Sequence, residues 1–83
     1  MDNTKIYDYS ELNDASVLYT IKKVAQILEE RGYNPINQIV GYLLSGDLGY
    51  ITSYKQARDM ISEYERSRIV EVIVKNIIWD IWD

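Results

Sequence analysis

The chain of 83 residues contains no cysteine, no histidine and no phenylalanine. Without cysteine it has no disulfide, no thiolate metal site and no cysteine nucleophile, a composition compatible with a reducing compartment. Without histidine, imidazole acid–base catalysis and histidine-based zinc sites are excluded. No apolar run approaches the ~20 residues of a membrane-spanning helix. The chain opens on polar and acidic residues rather than a secretory leader, so a cytoplasmic location is expected. Nine basic residues stand against thirteen acidic ones, a net charge of −4, and the basic ones are scattered. That balance argues against a nucleic-acid partner, which demands many phosphate contacts. The GDLG stretch at 46–49 lacks the Lys-Ser/Thr of a phosphate loop. Carboxylate pairs such as Asp59 and Glu63 read as a solvated helix face. No catalytic residue, metal or cofactor is expected, and the chain reads as a non-enzyme.

What is present is helical punctuation. A chain of this size forms one domain with a modest core, for which oligomerisation is a common remedy. Residues 1–12 carry little apolar pattern and read as a flexible tail, leaving 13–83 as the helical domain. Asn13 or Asp14 is placed to cap a first helix over roughly 15–31. Its apolar face holds Val17, Ile21, Val24, Ala25 and Leu28, and Arg31 lies in its last turn. Gly32 closes this helix. Asn34 caps a second helix at about 35–45, and Pro35 stands at its first position, where a missing N–H costs nothing. Ile36, Ile39, Val40, Leu43 and Leu44 recur at helical spacing. Gly46 ends the run.

Ser53 is placed to cap a third helix with Tyr54, Ala57, Ile61 and Tyr64 on one face. Ser67 is placed to cap a fourth over Arg68 to Trp82. Val70, Val72 and Val74 alternate as in a strand. A lone strand has no partner elsewhere in the chain, so a helix carrying Val70, Ile73, Val74, Ile77, Ile78 and Ile81 is preferred. The fold class is therefore all-α, a small bundle of about four short helices. The last helix, widened by Trp79 and Trp82, carries more apolar surface than one small monomer can bury. A homodimer using Ile73, Ile77 and Trp79 is the simplest outlet.

The block EERGYNPINQIVGYLLSGD, ending at Asp47, resembles the IreB family of small bacterial regulatory proteins almost residue for residue. Further points are Tyr50-Ile51, the KQAR of Lys55 to Arg58, Met60-Ile61 and Glu65-Arg66, so the likeness runs from about Thr4 to about Ile78. Prolines common in relatives are replaced here by Leu48 and Thr52, and the Asp-Glu that often follows Glu-Arg is replaced by Ser67-Arg68. The resemblance implies a regulatory phosphoprotein that controls cell-envelope (peptidoglycan) synthesis. Thr4, in the lead-in NTKIYDYSELNDAS, would be the acceptor for a membrane-anchored Ser/Thr protein kinase. An outlet through a proteolysis or cell-wall-synthesis component is also implied.

Arg58 and Arg66 carry guanidinium forks suited to carboxylate or phosphate. Together with Asn37, Gln38 and Tyr50 they form the expected partner-binding set. Two other readings stay open. One is a constitutive dimeric adaptor in which Thr4 is inert. The other is a DNA-binding regulator built on helices two and three, although Asp59, Glu63 and Glu65 would then face the phosphates unfavourably.

Overall fold

A computed structural model describes the backbone of residues 9–82 and the side chains of residues 13–79. Those residues form an all-α fold of four α-helices: α1 (Tyr9–Glu30), α2 (Pro35–Ser45), α3 (Ala57–Ile61) and α4 (Arg66–Trp82). Short 3-10 turns at Leu48–Tyr50 and Tyr54–Gln56 fill the connection between α2 and α3. No strand occurs among the described residues, so the valine-rich 68–82 segment is helix. The other three helices all pack on α1.

The α1–α2 junction is built as its residues dictate. Gly32 has φ +84°. Its N–H donates to Glu29 O at 3.0 Å and that of Tyr33 donates to Leu28 O at 3.0 Å. This pair of bonds is the Schellman stop, which satisfies carbonyls the helix end leaves open. Two residues later Asn34 Oδ1 accepts from Asn37 N at 3.0 Å, and Pro35 follows as the first residue of α2. At the far end Gly46, φ 77°, donates its N–H back to Tyr42 O at 2.7 Å.

The core is one cluster. Val17, Val24, Ile27 and Leu28 of α1 meet Ile39 and Tyr42 of α2, Ile51 of the connection, Ala57 and Ile61 of α3, and Ile69 and Val72 of α4. The α1 stripe lies inward as its spacing predicts, with Ile21 and Ala25 packed at its edge.

Elsewhere the structure departs from expectation. Helix α1 begins at Tyr9, ahead of Asn13 and Asp14, so neither is its cap, and residues 9–12 are helix rather than tail. Arg31 lies just beyond the last turn, with its guanidinium 4.6 Å from the centre of the Tyr54 ring. The expected third helix shrinks to five residues. Lys55 (φ 53°) and Gln56 (φ 60°) occupy the left-handed region, which breaks any helix started at Ser53. Ser53 makes no side-chain cap bond, and Thr52 Oγ1 accepts from Tyr54 N at 3.2 Å instead. Helix α4 begins at Arg66, so Ser67 lies in its first turn rather than capping it.

The expected α4 stripe also differs. Ile69 and Val72 are buried and Ile73 packs at the edge of the core, whereas Val70, Val74, Ile77 and Ile78 are exposed. The helix thus has two apolar faces, and spacing alone does not say which one the core takes.

Four polar side chains close the α1–α4 contact. Arg68 donates through Nε (3.1 Å) and Nη2 (2.9 Å) to Asn13 Oδ1, and Nη2 also pairs with Asp14 Oδ1. Lys75 Nζ lies 2.9 Å from Asp14 Oδ2. The Lys75 hydrogen bond, together with Arg68, holds the Asp14 carboxyl below its ordinary range, against a desolvation effect of opposite sign. A depressed folded value stabilises the fold above the unfolded value and is lost as pH falls through the folded one. Asp14→Asn should therefore lower the melting temperature at pH 7, and the gap to wild type should close below about pH 4. Melting curves followed by circular dichroism between pH 2 and 7 would check this; a gap independent of pH would show that the carboxylate charge is not what matters.

Candidate interaction surface

Three of the five expected partner-binding residues converge on the connection between α2 and α3. Gln38 Nε2 donates to Tyr50 O at 2.9 Å. Arg58 Nε donates to Ile51 O at 2.9 Å. The Tyr50 ring lies over Gly41, where an added Cβ would stand 2.5 Å from Cε1. Asp47 Oδ1 accepts from Gly49 N at 2.8 Å, tightening the 3-10 turn between them. Gln38 and Arg58 thus brace an irregular segment whose one fully buried side chain is Ile51. Tyr50 stays 40% exposed, and Gln38, Asp47, Gly49 and Tyr50 line a shallow depression.

Arg66 lies elsewhere, on the rim of a groove. Its Nη1 donates to Leu43 O at 3.0 Å, crossing from the start of α4 to the end of α2. This groove, about 710 Å³, is lined by Tyr42, Leu43, Tyr64, Glu65, Arg66, Ser67 and Val70. Asn37 is exposed and lines neither the depression nor the groove; its backbone N–H donates to Asn34 Oδ1.

Two exposed apolar rows lie on the same two helices that wall the groove. On α2, Ile36 (72% exposed), Val40 and Leu44 (81% exposed) occupy successive turns on the side away from Tyr50. On α4, Val70, Val74 and Ile77 do the same, with Ile78 beside them. Of these residues only Val70 lines the groove; the α2 side contributes Tyr42 and the half-buried Leu43 instead. Helix α2 contains no charged residue to interrupt its row. Of the residues expected at a dimer interface, Ile77 and Trp79 are exposed, while Ile73 is largely taken up by the core of its own chain.

Sequence reasoning placed Ile36, Val40 and Leu44 on an apolar stripe but not on the surface. Asn13 and Asp14 are expected there as helix caps and Arg68 as one possible dock for a phosphate, and nothing joins them to one another or to Lys75. The two sides of that cluster lie more than fifty positions apart, a separation that no local spacing rule spans. The DNA-binding reading loses its recognition helix, since α3 is only five residues long. Among the described residues no group of three or more acidic side chains forms a cation site, and no helix is long and apolar enough to cross a membrane.

These features define a small all-α module with exposed apolar rows on α2 and α4 and Arg66 at the edge of the groove between those helices. The chain matches the model of the IreB regulatory phosphoprotein family over residues 2–78, nearly its whole length, and it belongs to that family. Its role is therefore regulatory. Thr4, the expected phosphoacceptor, falls within the family match but lies outside the described residues.

Proposed function

We propose that this protein is a kinase-controlled, non-enzymatic regulator in the cytoplasm, phosphorylated at Thr4 by a membrane-anchored Ser/Thr kinase. Its output is protein–protein contact that governs cell-envelope (peptidoglycan) synthesis, through a proteolysis or cell-wall-synthesis component. The observation that carries this reading is the match to a family of regulatory phosphoproteins, which extends through Thr4. The other two threonines make poorer acceptors. Thr20 is buried in α1, and the Thr52 hydroxyl is held by Tyr54 N. A kinase draws its substrate extended through its active site, and the added phosphate brings a charge of about −1.5 to −2.

Intact-mass measurement after incubation with a PASTA-type Ser/Thr kinase tests the first step. One added phosphate, absent from Thr4→Ala, is the expected result. No added phosphate leaves the constitutive adaptor as the reading to pursue.

The module acts as a homodimer, in which the α2 and α4 rows cover each other. The support is the amount of apolar surface that one chain leaves open, Ile36, Leu44 and Ile77 each being more than half exposed. Ile77→Asp puts a charge into that contact without touching the core. Sedimentation velocity should then show the wild type as a dimer and Ile77→Asp as a monomer with unchanged helical circular dichroism. A wild type that sediments as a monomer at high micromolar concentration would refute the dimer.

A further inference from the structure

We infer that Arg68 and Lys75 form an intramolecular receptor for a phosphate on the N-terminal segment, for which Asp14 now holds the place. The inference rests on the reading of Thr4 as phosphoacceptor and adds where the phosphate goes and what it displaces.

Two cationic side chains two turns apart on α4 converge on one carboxylate. The Arg68 guanidinium meets Asp14 and Asn13, and the Lys75 ammonium lies 2.9 Å from the other Asp14 oxygen. The cluster is only partly buried, the side chains of Arg68, Lys75 and Asp14 retaining 24%, 33% and 21% of their exposure. A competing anion therefore reaches it without unfolding the core. Arg66 and Arg68 both fall in the first turn of α4, which holds no acidic residue. Cations at a helix N-terminus are unfavourable, so the positive potential there exceeds what the helix itself needs. Glu71, 3.3 Å from Arg68 Nη1, is a further counter-charge. A dianionic phosphate with three acceptor oxygens is a stronger partner for a guanidinium than a single carboxylate.

Chain length allows the contact. Thr4 is five Cα-to-Cα steps from Tyr9, a reach of up to about 17 Å when extended. Asp14 lies about 7 Å along α1 from Tyr9. The exposed Lys22 and Lys23 of α1 lie about 20 Å along it, past that reach. Capture of the phosphate by Arg68 and Lys75 frees Asp14 and loosens the first turns of α1 from α4. Phosphorylation is thereby converted into a change in the polar cluster of Asn13, Asp14, Arg68 and Lys75 that joins those helices.

The test uses the full chain carrying phosphothreonine at position 4, made by ligating a synthetic phosphopeptide to the remainder, so that no kinase is needed. The expected result is a second phosphate pKa about 0.5–1 pH unit below that of the free phosphopeptide, read by phosphorus NMR. The Arg68 Nε–H resonance should move on phosphorylation, and the Asp14 carboxyl should titrate closer to its ordinary value. Lys75→Gln should reduce the phosphate effect, and Arg68→Gln should reduce it further. A phosphate that titrates as in the free peptide, with the Arg68 and Asp14 signals unmoved, overturns the inference even if a kinase modifies Thr4. Failure of the kinase to modify Thr4, with the ligated chain behaving as expected, overturns the functional reading and leaves the receptor standing.

Discussion

Leu28→Ala should cost about 2–5 kcal/mol, the range for deleting a buried leucine side chain when its surroundings cannot close the gap. Leu28 has no exposed surface, and it lies on the helix against which the other three pack. Its carbonyl also accepts the Tyr33 N–H that closes the helix, so the backbone there has little freedom to collapse into a void. A domain of this size has a total stability on the order of 5–15 kcal/mol, so the loss is a third or more of it at the lower end. Each kcal/mol corresponds to about 4–8 °C in melting temperature for such a chain. Urea titration of the two proteins side by side would measure the difference. A cost under about 1 kcal/mol would mean that this part of the core is loosely packed.

Gly46→Ala is the second large effect, and it separates two penalties. Gly46 has φ 77°, and a Cβ there would stand 2.8 Å from Arg66 Cζ and 2.9 Å from Nη2. Any non-glycine residue at such a φ costs about 1–2 kcal/mol. In addition, the Arg66 guanidinium must shift, which strains its bond to Leu43 O, a charge-assisted bond worth up to about 1.5–3 kcal/mol when fully formed. Gly32→Ala is the control. Its φ is +84°, but nothing lies within 4 Å of the added Cβ. It should therefore show the backbone penalty alone. The expected order is wild type, Gly32→Ala, then Gly46→Ala, with the last about 2–3 kcal/mol below wild type. Equal losses at the two glycines would show that Arg66 moves aside freely and that the rim of the groove is not held by it.

Both glycines are legible as helix stops from residue type and position alone, and so is the Asn34–Pro35 start of α2. The interactions they make are local: a cap bond spans three residues and a Schellman pair spans three and five. Residue type at a given offset therefore suffices. Helix spacing likewise picks out the buried side of α1, because Val17, Val24 and Leu28 offer only one apolar face. In α4 it does not. Val70, Val74 and Ile77 make as good a stripe as Ile69, Val72 and Ile73, and periodicity ranks them equally. The break of the third helix at Lys55 and Gln56 is not legible either, since neither residue type favours positive φ. That turn exists because Ile51 and Ala57 are anchored in the core on either side, with Lys55 Nζ 3.1 Å from Glu30 Oε1 and Tyr54 under Arg31.

The expected partner-binding residues show the same division. Gln38, Tyr50 and Arg58 stand out one by one through type and resemblance, and the structure joins them around one connection. Arg66 proves to be a rim residue of a groove that no stretch of sequence contains, for Leu43 and Val70 approach only because α2 and α4 both pack on α1.

By itself the sequence determined the all-α class, the bounds of α2, the inward face of α1, the absence of cysteine and histidine chemistry, and membership of a regulatory family, because each depends on residue types or on spacings within a few turns. The tertiary structure decided which face of α4 is spent on the core, which apolar residues of α2 and α4 stay exposed, and that Asn13 and Asp14 serve Arg68 and Lys75 rather than a helix end. Those outcomes depend on contacts between segments tens of residues apart, which form only when the helices pack.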